Sequence, residues 1–127
     1  MIPRYRAWDG GSLCRMYSPE EVMVGNGDIW IIDEDDVAGE WIVNNDLVLM
    51  QSTGLTDKNG KEIFEGDVVK MAKNVYSEPT YYEVVRHRGG AYRLDSKQYG
   101  CELWLRHTDC EIAGNIYEDP ELVEVSS

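Results

Sequence analysis

Short apolar runs alternate with turn residues along the whole chain, and this pattern determines the predicted fold. The runs recur about every eight to twelve residues, and none is extended by the 3.6-residue period of a long helix. Such spacing favours an all-β barrel or sandwich over alternating strands and helices. The predicted strands are 4–8, 13–17, 29–32, 41–43, 47–50, 68–71, 81–86, 91–94, 101–105 and 111–117.

Three of these strands carry specific burial expectations. Residues 29–32 form a continuous apolar run, which predicts a strand buried on both faces. In 81–86 the alternation of strand side chains places Tyr82 and Val84 on one face. The segment 101–105 also alternates, and it is expected to be a strand throughout.

Only two segments indicate helical structure. Ser18-Pro19-Glu20-Glu21 combines an N-cap residue, Pro at the first helical position and acids in the first turn. Any helix there must be short, because Gly25-Asn26-Gly27-Asp28 stops it. Asp119-Pro120-Glu121-Leu122 similarly predicts one terminal helical turn.

The centre of the chain is dense with turn residues. Asn59-Gly60 lies between two apolar runs and predicts a tight type I′ hairpin, since both residues tolerate a left-handed backbone. Glu65-Gly66-Asp67 makes a second break before the next strand. We therefore expect these polar residues to shape the backbone and to perform no reaction.

Three blocks of sequence resemble the YopX family of phage and prophage proteins. The central block, 51–67, reads QSTGLTDKNGKEIFEGD, and it is the most specific of the three. The opening block is YRAWD at 5–9, and the closing block is GNIYEDPEL at 114–122. They occur in the expected order and together span nearly the whole chain.

The resemblance implies a mainly β fold, with an SH3-like β-barrel and additional N-terminal strands or hairpins. It also implies self-association and a phage or prophage origin. It implies no established activity and no catalytic residues. We expect one YopX-like domain over 1–127, with an N-terminal β region at 1–50 and the barrel at 51–127 as its two subdomains.

Composition is typical of one ordinary cytoplasmic domain. The chain has 127 residues, no apolar run near the ~20 residues of a membrane span, and no apolar secretory signal at its start. Cys14, Cys101 and Cys110 are an odd count and are expected to be reduced thiols. These features predict a cytoplasmic location without a membrane partner, and the YopX resemblance implies that the cytoplasm is that of a host bacterial cell.

Charge is the strongest compositional signal. Twenty-four acidic residues against twelve Lys and Arg give a net charge of −12. Such a field repels phosphate backbones and acidic membrane surfaces, so nucleic acid is not an expected partner. It keeps a protein soluble, and it would attract a basic partner.

No metal or cofactor is expected. His107 and Cys110 have the spacing of half a zinc site, and Cys14, Cys101 and His87 are the other soft ligands, but a second close pair is lacking. Asp33, Asp35 and Val37 begin a calcium-type loop. That loop fails where it needs Gly and Glu, because Ala38 and Asn44 stand there.

No catalytic residues are expected either. No serine has the Gly-x-Ser-x-Gly setting of a hydrolase nucleophile; the serines considered are Ser12, Ser18, Ser52, Ser77 and Ser96. A Cys–His couple would need contact that sequence cannot show, and inert buried thiols are the favoured interpretation. Gly10-Gly11 and Gly25-Asn26-Gly27 lack the strand-to-helix context of a phosphate loop and indicate turns.

Three functions remain as hypotheses. The first is a non-enzymatic accessory protein, a β-rich interaction module that forms a homo-oligomer, with a host or phage protein as a further partner. The second is an acidic DNA-mimic decoy for a host DNA-binding protein. Its charge would come from 33–36 and from Glu111, Glu118, Asp119, Glu121 and Glu124. The third and weakest is a nucleic-acid-binding barrel that uses Arg86-His87-Arg88, Arg93, Tyr81, Tyr82 and Tyr92.

Overall fold

The computed structural model describes residues 4–11, 14–32, 39–72, 78–87, 90–96 and 100–122. The predicted all-β class is confirmed, since antiparallel strands dominate the described residues. The strands are β1 (Tyr5–Asp9), β2 (Arg15–Tyr17), β3 (Val22–Gly25), β4 (Asp28–Ile32), β5 (Trp41–Val43), β6 (Val48–Thr56), β7 (Glu62–Phe64), β8 (Asp67–Met71), β9 (Thr80–Arg86), β10 (Tyr92–Asp95), β11 (Gly100–Glu102) and β12 (Glu111–Asn115).

The chain divides into two compact units, Met1–Ser52 and Thr53–Ser127. In the first unit, β1 pairs with β2 and with the beginning of β6. A separate three-stranded antiparallel sheet has the order β3-β4-β5. The core of this unit is filled by one aromatic and four smaller apolar side chains: Tyr17, Ala7, Val22, Ile31 and Leu47.

The second unit is built on a five-stranded antiparallel sheet of order β11-β10-β9-β8-β12. Strand β7 lies beside β6, and a bulge between Ile112 and Gly114 shifts the register of β12 against β8. The predicted face of β9 is confirmed, because Tyr82 and Val84 both enter the core. The other buried core residues are Ile63, Val69, Met71, Leu94, Leu103 and Cys110.

The helix predicted from Ser18 does not form. The backbone N–H of Ser18 donates to the Glu21 carboxylate at 3.0 Å, and the N–H of Glu21 donates to the Ser18 carbonyl at 2.9 Å. These are the contacts of a helix start, but the chain passes directly into β3. The reason is tertiary: Val22 is buried in the first core, and β3 pairs with β4 along its whole length.

The strand predicted over 101–105 is also wrong beyond its second residue. Strand β11 ends at Glu102, and Leu103–Arg106 form one helical turn, α1, followed by a 3-10 turn at His107–Asp109. Leu103 is fully buried, whereas Trp104 and Leu105 are exposed. The burial of Leu103 therefore determines the conformation of this segment, and the two-residue alternation of apolar side chains does not. At the other predicted helical turn, Glu121 and Leu122 are helical and 123–127 lie outside the described residues.

Candidate functional site

Polar side chains of the central block form hydrogen bonds with backbone groups. Asp57 is buried, and its Oδ1 accepts hydrogen bonds from the N–H groups of Asn59 at 2.8 Å and Lys61 at 2.9 Å. Its Oδ2 accepts from the N–H of Ile112 in β12 at 3.0 Å. One carboxylate therefore closes the β6–β7 loop and fastens that loop to β12.

The pKa of Asp57 records this arrangement. Burial by itself would raise the pKa of the carboxyl group. The three backbone N–H donors, together with the positive charge of Lys61, outweigh burial and lower the pKa below its ordinary value. A carboxylate held in its charged form by backbone donors stabilises a loop and is poorly suited to accept a proton.

The expected type I′ turn at Asn59-Gly60 is not formed. Gly60 is left-handed with φ +81°, but Asn59 does not have positive φ, which a type I′ turn requires of both residues. The N–H of Gly60 instead donates to the Asp57 carbonyl at 3.0 Å. The hairpin exists, but Asp57 organises it in place of the Asn-Gly pair.

The type I′ geometry occurs at the other Asn-Gly pair. Asn26 has φ +54° and Gly27 has φ +80°, and they join β3 to β4. The interpretation of Gly25-Asn26-Gly27 as a turn is therefore confirmed. The sequence signal was equally visible in both places, and the neighbouring Asp57 is what changes the outcome at Asn59.

The second predicted break is confirmed. Glu65 and Gly66 turn the chain between β7 and β8, and Gly66 is left-handed with φ +87°. Asp67 is buried, and its Oδ2 accepts from the N–H of Phe64 at 2.8 Å. The N–H of Gly66 donates to Val84, so the corner is fixed to β9 as well.

The closing block is also a turn built around a buried polar side chain. Asn115 Oδ1 accepts from the N–H groups of Tyr117 at 3.0 Å and Glu118 at 2.9 Å. A Cβ on Gly114 would overlap the Asp119 carboxylate, so this position has no room for a side chain. The closing block and the loop at Asp57 are therefore both closed by a buried polar side chain that accepts backbone hydrogen bonds.

Cys110 and His107 have hydrogen-bond partners within the fold. Cys110 is fully buried, and burial raises the pKa of its thiol to about 12. Its Sγ donates to the Arg106 carbonyl at 3.3 Å. His107 Nδ1 lies 2.8 Å from the Thr56 carbonyl oxygen. Burial likewise raises the pKa of Cys101, while Cys14 is exposed in the first unit.

The remaining candidates are not brought together. In the described segments, no group of three His, Cys, Asp or Glu side chains could hold a metal ion. The calcium-type loop from Asp33 to Ala38 and two of the serines, Ser12 and Ser77, lie outside the described residues. Ser18 Oγ donates to Glu21, and the N–H of Ser52 donates to the Arg4 carbonyl.

Arg93 of the predicted basic hairpin between β9 and β10 is paired with carboxylates. Arg93 pairs with Glu102 at 3.1 Å and with Asp95 at 3.7 Å. His87 Nε2 lies 3.7 Å from the same Asp95. Tyr82 belongs to the core and Tyr92 packs against it, Tyr81 is half-buried, Arg86 is exposed, and Arg88 lies outside the described residues.

Several acids proposed for DNA mimicry are also engaged locally. Glu111 pairs with Lys58 at 3.5 Å and with Lys70 at 3.4 Å. Glu118 accepts a hydrogen bond from Asn115 at 2.8 Å. The acids at 33–36 and Glu124 lie outside the described residues, so the decoy hypothesis stays a prediction.

A surface that the sequence patterns did not reveal lies on the β3-β4-β5 sheet. The register places Met23 opposite Trp30, Trp30 opposite Val43, and Ile32 opposite Trp41. Residues that are directly opposite in an antiparallel pair point to the same face. The members of this exposed apolar face are Met23, Trp30, Ile32, Trp41 and Val43.

The side chains of the exposed apolar face are accessible to solvent. Met23 is 47% exposed, Val43 44% and Trp41 37%, and Trp30 and Ile32 are half-buried. The prediction that 29–32 is buried on both faces is therefore wrong, because only Ile31 is buried. The missed signal was the run of apolar residues at 29–32 of β4 and at every position of β5, in a sheet with only one side packed on a core.

The fold and these sites define a class of small antiparallel β proteins in which buried polar side chains close the central and C-terminal turns. The YopX protein family model matches residues 4–124, so the chain belongs to the YopX family. No curated protein sequence matches the chain.

Two solved structures are similar over nearly the whole chain. A crystal structure of a protein from Enterococcus faecalis has a TM-score of 0.63 and 27% identity, covering 97% of this chain and 99% of that one. The X-ray structure of the protein YopX from Bacillus subtilis has a TM-score of 0.65 and 21% identity, covering 94% and 96%. In the part of this chain that is described, no helix has the length and apolar character needed to span a bilayer.

Proposed function

We propose that this protein is a non-enzymatic interaction module that associates with itself. The observation that carries the proposal is the exposed apolar face, whose three most open members are Met23, Trp41 and Val43. Contiguous apolar surface in water is unfavourable by about 25 cal/mol per Å², and its usual role is to be covered by a partner.

The charge distribution supports a protein partner over a phosphate-rich one. The chain carries a net −12, but every member of the exposed apolar face is uncharged. Two copies repel each other through most of their surfaces, and a neutral apolar face is where that repulsion is weakest. A polyanion gains no comparable attraction from this chain.

The use of the polar residues supports a non-enzymatic role. Asp57, Asp67 and Asn115 are the buried polar side chains in the described segments, and each binds backbone N–H groups. The buried thiol of Cys110 has a pKa near 12, which leaves little thiolate for nucleophilic chemistry. These groups have roles in the fold that account for their burial.

Family membership extends the proposal to the biological setting. The YopX resemblance implies a phage or prophage accessory protein that works in the host bacterial cytoplasm. A host or phage protein would then be a second user of the same exposed apolar face, in competition with self-association.

Size-exclusion chromatography with light scattering tests self-association. We expect the measured mass to rise above one chain as concentration increases from about 10 to 500 µM, a range suited to weak interfaces. The double variant Trp41→Ser with Val43→Thr should remain monomeric, because it makes the exposed apolar face polar.

Trp104→Ser is the matched control for loss of an exposed tryptophan. Trp104 is 64% exposed on α1 in the second unit, so its removal should leave the mass profile unchanged. A wild-type chain that stays monomeric over the whole range would overturn the proposal. Equal loss of association in the Trp104 variant would show that the face is not the cause.

A further inference from the structure

We infer that two copies pair edge to edge through β5, antiparallel, across a two-fold axis that passes beside Ile42. The inference rests on the self-association proposed above and specifies its geometry. It joins the two β3-β4-β5 sheets into one six-stranded sheet. The occupant of the β5 edge is therefore a second copy of this chain.

The hydrogen bonds of β5 determine which of its backbone groups are available. The N–H of Asn44 donates to the Ile29 carbonyl at 2.8 Å, so Asn44 and Ile29 occupy a hydrogen-bonded position of the ladder. Hydrogen-bonded and non-hydrogen-bonded pairs alternate along antiparallel strands. Ile42 is therefore bonded to Ile31 of β4, and the N–H and C=O groups of Trp41 and Val43 point away from β4.

This outward edge is complementary to itself. A two-fold axis beside Ile42 brings Trp41 of one copy opposite Val43 of the second copy, and the reverse pair forms as well. Both residues present an outward N–H and an outward C=O, so each of the two pairs can exchange two hydrogen bonds. The two Ile42 residues then occupy the non-hydrogen-bonded position between them.

The side chains match in the same register. The existing rows are Trp30 beside Val43 and Ile32 beside Trp41. Pairing extends the first row from Val43 to Trp41 and Ile32 of the second copy, so the exposed apolar face becomes continuous across the axis. Aromatic and β-branched residues directly opposite each other are a favourable cross-strand combination.

The other edge of this sheet is less available. Strand β3 packs against β1 as well as pairing with β4, whereas the main packing partner of β5 is β4. All three residues of β5 are exposed, apolar and uncharged. Natural edge strands are commonly protected by Lys, Pro or a bulge, and β5 has none of these. Three residues make a short edge, so the interface is smaller than the ~800 Å² per partner of stable complexes and the dimer is weak.

Cysteine cross-linking at the axis tests the geometry. Ile42→Cys is introduced together with Cys14→Ser and Cys101→Ser, which remove the partly or fully exposed native thiols. Residues opposite each other at a non-hydrogen-bonded position have Cα atoms about 4.5 Å apart, which is within the range of a disulfide. We expect air oxidation with copper phenanthroline to convert most of this variant to a covalent dimer, which dithiothreitol reverses.

Two equally exposed positions are the controls. Trp41→Cys lies on the same strand, but its twin across the axis is two residues out of register, so we expect at least ten-fold slower cross-linking. Val24→Cys, on β3, is 40% exposed against 42% for Ile42 and should behave as slowly.

The outcomes separate this inference from the one it rests on. Association of the wild-type chain with equal or faster cross-linking at Trp41 or Val24 would overturn the β5 geometry and leave self-association intact. A wild-type monomer at every concentration would overturn both. Association of the wild-type chain without cross-linking at Ile42 would show that another surface joins the copies, and it would overturn the two-fold pairing.

Discussion

The two units of this chain differ in which polar side chains they bury and in where their exposed apolar side chains lie. The second unit buries Asp57, Asp67 and Asn115, while the first unit exposes Met23, Trp41 and Val43. In the second unit, each of these buried polar side chains accepts hydrogen bonds from backbone N–H groups of a loop. In the first unit the apolar side chains belong to a three-stranded sheet that has a core on one side only.

This contrast separates the residues that stabilise the fold from the residues that are exposed for association. Residues 53–67 of the central block and the whole closing block lie in the second unit, and Asp57 and Asn115 bind backbone N–H groups there. Surfaces suited to association lie in strands without comparable sequence markers. The motifs that resemble the family therefore contain residues that stabilise the fold. The proposed function depends on strand residues outside those motifs.

Asp57→Ala should produce the largest loss of stability. It leaves the N–H groups of Asn59, Lys61 and Ile112 without their acceptor in a buried loop. Unsatisfied buried donors cost about 1–3 kcal/mol each and relax in part, so we expect a loss of about 3–5 kcal/mol. Urea unfolding followed by circular dichroism measures it.

Asp46→Ala is the control for removing an aspartate from a loop. Asp46 is exposed in the turn before β6, so its loss should change the free energy of unfolding by less than about 0.5 kcal/mol. If both variants unfold at the same urea concentration, Asp57 does not have the structural role described.

The two Asn-Gly pairs give the next largest effect. Asn26→Val places a β-branched residue at φ +54° and should cost about 1–2 kcal/mol. Asn59→Val changes a residue without positive φ and should cost less than about 0.5 kcal/mol. Thermal unfolding of the two variants compares them directly. A greater cost at Asn59 would mean that the type I′ turn forms there after all.

The pH dependence of stability gives a smaller effect from the same carboxylate. The pKa of Asp57 is lower in the folded chain than in the unfolded chain, so its contribution is fully present above the ordinary aspartate range. That contribution is lost as pH falls through the lowered folded value. The stability gap between wild type and Asp57→Asn should therefore narrow below about pH 4. A gap that stays constant from pH 7 to pH 3 would contradict this assignment.

An element was predictable from the sequence where the local preferences of its residues agree with their tertiary packing. The alternation in β9 and the Gly66 corner both follow from strand period and turn chemistry. The prediction that the central polar residues shape the backbone is in accord with the contacts of Asp57 and Asp67. Their detailed bonding was not predictable, because Ile112 is far from Asp57 in sequence.

The failures share one physical cause, which is tertiary packing. Ser18 and Glu21 make the bonds of a helix start, but burial of Val22 draws the next residues into a sheet. Leu103 is buried from a helical turn and not from a strand. Residues 29–32 are apolar throughout, and only the packing of the sheet decides that Trp30 and Ile32 face outward. The candidate surface was therefore invisible to periodicity alone.

The central claim is that the buried polar residues that stabilise loops and the apolar surface proposed for self-association lie in different units. One paired measurement tests this claim most directly. Sedimentation velocity at about 200 µM is compared with urea unfolding for wild type, Asp57→Asn and Ile42→Lys; the concentration suits a weak dimer. The account predicts that Ile42→Lys abolishes the dimer with little change in stability, since Ile42 is 42% exposed. It predicts that Asp57→Asn lowers stability and leaves association unchanged under native conditions. Loss of association in Asp57→Asn, or a full dimer in Ile42→Lys, would contradict it.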